Sequence, residues 1–264
     1  KGILDDSDSK NIAIVGTRKA TEMGKKRVDT LLHELAETGY HPNIISGLAY
    51  GIDITAHTAC MHYGLKAQAV LGHGLHMVYP ASHKSMAEKI LEQGGALISE
   101  FPTCAQILPT NFLQRNRIVA GMSEAILVAE SPIKGGAMST ARQALSYNRE
   151  VMAIPGRPED PTFTGCNLLI KQNIAALVEN IKDLLRILNW PPLPTEPYQM
   201  SLDLFPITNN EVLLLEILLK RGEQNIDQLH QLTRIPVHDL SVLLLKLELE
   251  GHVMQLPGNC YTLI

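Results

Sequence analysis

Short apolar runs punctuated by glycine alternate with longer amphipathic stretches over the first two thirds of the chain. Asn11–Gly16 (NIAIVG) is wholly apolar at its centre and ends in glycine, as a parallel strand buried on both faces does. A helix follows the turn at residues 17–21, with Val28, Leu31, Leu32 and Leu35 on one face and Gly39 as its stop. The same alternation predicts strands at 43–46, 67–71, 96–99, 125–129 and 151–154. It also predicts an edge strand at 175–178 and helices at 53–64, 82–93, 138–147, 166–172 and 180–188. A long proline-containing loop is expected ahead of residues 115–117. Strands alternating with helices across short loops mean βαβ units, hence a doubly wound and mostly parallel sheet.

The pattern then changes. Residues 190–206 (WPPLPTEPYQMSLDLFP) are too rich in proline for a regular element and read as a linker between a core at 1–189 and a small domain at 207–264. That last segment predicts helices at 209–219, 226–232 and 237–250, then two β-like runs around Pro257-Gly258-Asn259, the order of a winged helix.

Composition narrows the classes. The 264 residues carry a net charge of −4, so any basic surface must be local. No apolar run approaches a membrane span, so no membrane role is expected. Four cysteines without paired spacing read as free thiols of a reducing cytoplasm. The loosely spaced His73, His76 and His83 predict no metal site. The opening KGILDDSDSK lacks a methionine, and the chain is expected to be a portion of something longer.

Candidate chemistry gathers where strands end. In open α/β sheets ligands bind beyond the carboxyl ends of the strands. There the sequence places Gly16 to Lys19, Ser46 to Gly51, Gly72 to Gly74, Lys134 to Gly136 with a helix start at Ser139, and Pro155-Gly156. Small residues in such turns let phosphate oxygens reach backbone N–H groups, and a helix amino end adds positive potential. The turn after the first strand lacks the dinucleotide fingerprint, since Arg18 and Thr21 stand where glycines belong, and no GxxxxGK[ST] loop occurs. No cofactor is therefore expected. Several anion cradles in a row, with Arg18, Lys19, Lys84, Arg115, Arg117 and Lys134 around them, suit a polynucleotide backbone better than one nucleotide, and Phe112 offers a stacking face. Asp53 and His57 lie four apart on a helix, the spacing of an acid–base pair, but Asp53 is expected instead to cap its helix with His57 packed against it. Glu100 and Glu130 end strands facing the crevice, either as orienters of Arg115 or Arg117 or as the carboxylates of a nucleotide-processing, phosphoribohydrolase-like enzyme.

These residues carry a resemblance. IVGTRKAT (14–21), SGLAYGID (46–53) with Ala56-His57, YP (79–80), SEFP (99–102), RNR (115–117), KGGAMSTA (134–141) and PG (155–156) closely resemble the DNA-processing protein A family (DprA, also called Smf) from about residue 11 to 178. The tail resembles the winged-helix domain of many members. The resemblance implies a Rossmann-like core that binds single-stranded DNA without catalysis, and a homodimer formed through that core. It also implies loading of the RecA recombinase onto incoming DNA in natural transformation. Carried over residue by residue, it places Arg18, Ser46, Gly47, Lys84, Arg115, Asn116, Arg117, Gly135 and Ser139 along the DNA groove, joined by Lys19, Phe112 and Gly136 from the reading above. Two positions depart from the family pattern: Gly135 where serine is usual, and Asn173-Ile174 where a Gly-Ala pair is usual. In the winged helix, Asp239, Glu248 and Glu250 oppose Lys246 alone on the would-be recognition helix. A major-groove helix should be basic, so this domain is expected to contact protein, or its own core, and not duplex DNA.

Overall fold

The computed structural model describes residues 1–4, 10–191, 209–249, 251–256 and 258–263. The chain forms two compact units, Lys1–Thr195 and Glu196–Ile264. The expected linker at 190–206 lies, after its first two residues, outside the described residues.

The first unit is built on a seven-stranded parallel sheet. In chain order its strands are β1 (Asn11–Gly16), β2 (Asn43–Ser46), β3 (Ala67–Val70), β4 (Ala96–Ile98), β5 (Ala125–Glu130), β6 (Glu150–Ala153) and β7 (Ala176–Leu177). Their order across the sheet is β4-β3-β2-β1-β5-β6-β7, so β1 is central and the chain reverses direction of growth between β1 and β5. The helices are α1 (Glu22–Glu37), α2 (Ile52–Tyr63), α3 (Lys84–Glu92), α4 (Pro109–Met122), α5 (Gly136–Ser146), α6 (Thr164–Lys171) and α7 (Ile181–Ile187).

Alternation along β1 divides the core. Ile12 and Ile14 face one layer, with Val28, Leu32 and Leu35 of α1 and Ala56, Ala59 and Cys60 of α2. Ala13 and Val15 face the other, with Val119 of α4, Met138 and Ala141 of α5, and Phe163. A strand apolar on both faces suits this double cover. Burying a side chain such as Ile14 contributes roughly 1.5–3 kcal/mol.

The second unit holds α8 (Asn209–Arg221), β8 (Gln224–Asn225), α9 (Ile226–Thr233), α10 (Val237–Leu249), β9 (Val253–Leu256) and β10 (Cys260–Leu263). β9 and β10 form the expected antiparallel hairpin, and β8 adds a short third strand on β10. A separate core of Leu214, Leu218, Leu229, Leu240, Leu244 and Leu247 closes on Val253 and Tyr261. Asn225 and Gln228 form a reciprocal capping box that starts α9. Among the described residues no helix is long and apolar enough to cross a membrane.

Candidate functional site

α4 corrects the expected loop before residues 115–117. Its buried positions include Asn111, Arg115 and Val119, spaced four apart on one face. Pro109 occupies the first turn, where a missing N–H costs nothing. Arg115 and Arg117 therefore lie about 200° apart around the helix axis. Arg115 points inward and is 4% exposed, while the exposed Arg117 pairs with Glu100 beyond β4.

Arg115 Nη1 donates to the Val70 carbonyl at 2.5 Å, and the guanidinium lies against the backbone at Gly47. A Cβ at Gly47 would come within 1.9 Å of Nη1, so only glycine allows that approach. Burial pushes Arg115 below the ordinary arginine range; the Asp53 charge opposes this and the Arg18 charge adds to it. Asp53 is also buried, and burial raises its carboxyl against the effects of Arg115 and of the Ala49 and Gly47 N–H groups. Its Oδ2 accepts from the N–H of Gly47 (3.2 Å) and of Ala49 (3.4 Å), so it fixes the turn after β2. α2 itself starts at Gly51 without a side-chain cap, and the capping role expected of Asp53 is corrected accordingly. His57 is fully buried, with both ring nitrogens unpartnered inside the protein, and burial, Arg115 and His83 bring its pKa down to about 3.

A cleft of about 350 Å³ opens at the carboxyl edge of the sheet. It joins the turn after β1 (Thr17, Arg18), the turn after β2 (Gly47), one face of α4 (Phe112, Arg115, Asn116) and the start of α5 (Gly135, Gly136). Arg18 stands over the half-buried Phe112 ring, its guanidinium carbon 5.3 Å from the centroid. Seven of the twelve expected site residues meet here: Arg18, Gly47, Phe112, Arg115, Asn116, Gly135 and Gly136.

Five do not line it. Ser46 is fully buried and its hydroxyl donates to the Ile14 carbonyl at 2.6 Å. It lies in the core behind the cleft wall that it was expected to line. Arg117 faces away with Glu100. Lys19 is exposed in the turn after β1, its N–H donating to Thr17 Oγ1 at 3.2 Å. Lys84 is exposed at the start of α3, next to His83, whose Nδ1 is 2.8 Å from the Leu48 carbonyl of the β2 turn. Ser139 belongs to a second, shallower depression along α5, shared with Lys134, Gly135, Arg142 and Gln143. Arg142 and Gln143, absent from the expected site, follow Ser139 at the i+3 and i+4 spacing that puts them on its helix face.

Of the two crevice carboxylates, Glu100 orients Arg117 as expected. Glu130 does not orient an arginine. It is fully buried, and Oε2 accepts from the Thr21 N–H and hydroxyl, both at 3.0 Å, at the N-cap of α1.

Comparison with known proteins places these features in context. A family model described as DNA recombination-mediator protein A matches residues 1–189, and one described as the DprA winged helix domain matches residues 213–259. Protein Smf of Escherichia coli (strain K12) is 37% identical over 98% of this chain and 69% of its own length. DNA processing protein DprA of Streptococcus pneumoniae (strain ATCC BAA-255 / R6) is 36% identical over 70% of this chain and 64% of its own. Among solved structures, the X-ray structure of DprA from Streptococcus pneumoniae superposes with a TM-score of 0.62 at 35% identity, over 67% of this chain and 61% of that one. DNA processing protein A from Helicobacter pylori, described for its single-stranded DNA binding mode, superposes with a TM-score of 0.61 at 30% identity, over 68% of this chain and 80% of that one.

Proposed function

This chain belongs to the DNA recombination-mediator protein A family, and from that premise we propose that it binds single-stranded DNA along the cleft and delivers it to the RecA recombinase in natural transformation. It acts in the cytoplasm as a homodimer formed through residues 1–189 and catalyses no reaction of its own. The observation that carries the reading is the meeting of Arg18, Arg115, Phe112 and the α5 amino end at one cleft, so that two cations, backbone N–H groups and an aromatic face serve one ligand. The depression along α5, with Lys134, Ser139 and Arg142, continues the path for neighbouring phosphates. A phosphoribohydrolase reading would need Glu100 or Glu130 beside the cleft, and each is engaged elsewhere.

The test is a titration of labelled oligonucleotides, single- against double-stranded, at two salt concentrations. Single strands should bind in preference, with little dependence on sequence. Log affinity should fall against log salt by about 0.7 for each phosphate contacted. Arg18→Ala should weaken binding tenfold or more, on the order of 1.4 kcal/mol. Unchanged affinity in that variant, whose side chain is exposed and whose loss leaves the core intact, would refute the assignment.

A further inference from the structure

We propose that the cleft is a single-nucleotide pocket, which binds free nucleoside 5′-monophosphates in competition with DNA. This rests on the nucleic-acid reading of the same cleft. A volume of about 350 Å³ lies at the low end of the ~300–1,000 Å³ usual for small-molecule sites, and it is a pocket where a strand crossing the surface would need only a groove. Its lining falls into two halves that one nucleotide would satisfy together.

The first half suits a phosphate. α5 is 11 residues long and begins at Gly135 without a side-chain cap, so the N–H groups of Gly136 and Ala137, both lining the cleft, have no capping side chain. In the same lining Arg115 is buried, and its Nε proton finds no acceptor within the protein. Arg18 and Arg115 act on each other as like charges, a repulsion that an anion between them would offset. The second half suits a base. The Phe112 ring, Pro109, Leu113 and Val119 form an apolar wall, and the Arg18 guanidinium over Phe112 links it to the cationic half. Inorganic phosphate engages only the first half and a nucleoside only the second. One nucleotide of a DNA strand would sit in the cleft at a time, its neighbours running over the depression along α5.

The experiment uses the full chain with a fluorescently labelled oligo(dT), and dAMP, adenosine and inorganic phosphate as competitors at constant ionic strength. dAMP should displace the oligonucleotide at about millimolar concentration, with adenosine and phosphate at least roughly tenfold weaker. An oligonucleotide that binds, yields to unlabelled DNA and resists dAMP up to about 20 mM would overturn the pocket while leaving the DNA reading standing. If the oligonucleotide does not bind at all, the DNA reading fails, and saturation-transfer NMR of dAMP decides the pocket separately. A signal abolished by Arg18→Ala upholds it, and the absence of signal overturns it. Gly136→Ala gives a second, fold-neutral variant, since a Cβ there meets no heavy atom within 4 Å. It adds a methyl group to the lining and should weaken dAMP about tenfold. A dAMP affinity left unchanged by both Gly136→Ala and Arg18→Ala would also overturn the proposal.

Discussion

Burying an ion leaves a penalty of several kcal/mol unless polar groups surround it, and removing one partner of a buried pair typically costs about 3–5 kcal/mol. Arg115 is held by the Val70 carbonyl and the Asp53 charge, with His57 beneath it kept neutral. Arg115→Ala should therefore lower stability as well as ligand affinity, and Arg18→Ala separates the two effects. His57 adds a pH dependence. Its pKa is near 6.5 unfolded and about 3 folded, so the folded state binds its proton less readily. Stability should fall as pH drops from about 6.5 toward 3, by up to about 1.4 kcal/mol per pH unit from this group. Asp53, raised by burial, acts in the opposite sense over the acid range, so the comparison with His57→Gln isolates the histidine. Chemical denaturation at stepwise pH should show a flatter acid limb in His57→Gln, and identical limbs would exclude this role. Glu130 is a further case. Glu130→Ala removes the acceptor of the Thr21 N–H and should cost about 1–3 kcal/mol. Gly24→Ala should cost a similar ~1–3 kcal/mol, because the new Cβ would fall 1.9 Å from the pinned Glu130 Oε2. The double variant should cost less than the sum, since shortening Glu130 makes room for the methyl group added at Gly24; additive losses in melting experiments would contradict the contact.

The secondary elements differ in how openly the sequence declared them. β1, β2 and β5 are apolar on both faces and end in or next to small residues, so their parallel pairing was readable from composition alone. α4 was not, because its buried face carries Asn111 and Arg115 where the helical hydrophobic period requires apolar residues. The same substitution of polar for apolar interior residues hid the core positions of Ser46 and Glu130, each saturated by a backbone partner that sequence spacing does not reveal. The RNR motif could be found in the sequence, but its division between two faces of a helix could not be seen until the helix itself was known. In α10 the exposed surface presents His238, Asp239, Val242 (67% exposed) and Leu245 (56% exposed), and Lys246 Nζ is paired with Glu211 at 2.7 Å. Lys246 is thus neutralised by Glu211, and the exposed α10 residues present duplex phosphates with Asp239 and apolar side chains in place of a basic face. Residues 207–264 alone should give no shift of duplex DNA in native gels at physiological salt, and tight binding would overturn the expectation that this surface meets protein, or the chain's own core, in place of DNA.

At the scale of the whole molecule, each unit has its own apolar core, and the described residues that line the cleft belong to the first. A chain ending at residue 195 should therefore keep single-strand affinity within about threefold of the longer chain, less than 1 kcal/mol. A loss of tenfold or more, measured by anisotropy at matched salt, would move part of the site to the second unit. The strand order carries a different consequence. β2, β3 and β4 extend from β1 on one side, and β5, β6 and β7 on the other. At the midline the Thr17 N–H donates to the Glu130 carbonyl at 2.7 Å, just where the turns above begin to splay. A nucleotide touching Gly47 and Gly136 at once would brace both wings across that seam. Amide exchange should then slow on either side together, even in strands that no ligand atom approaches.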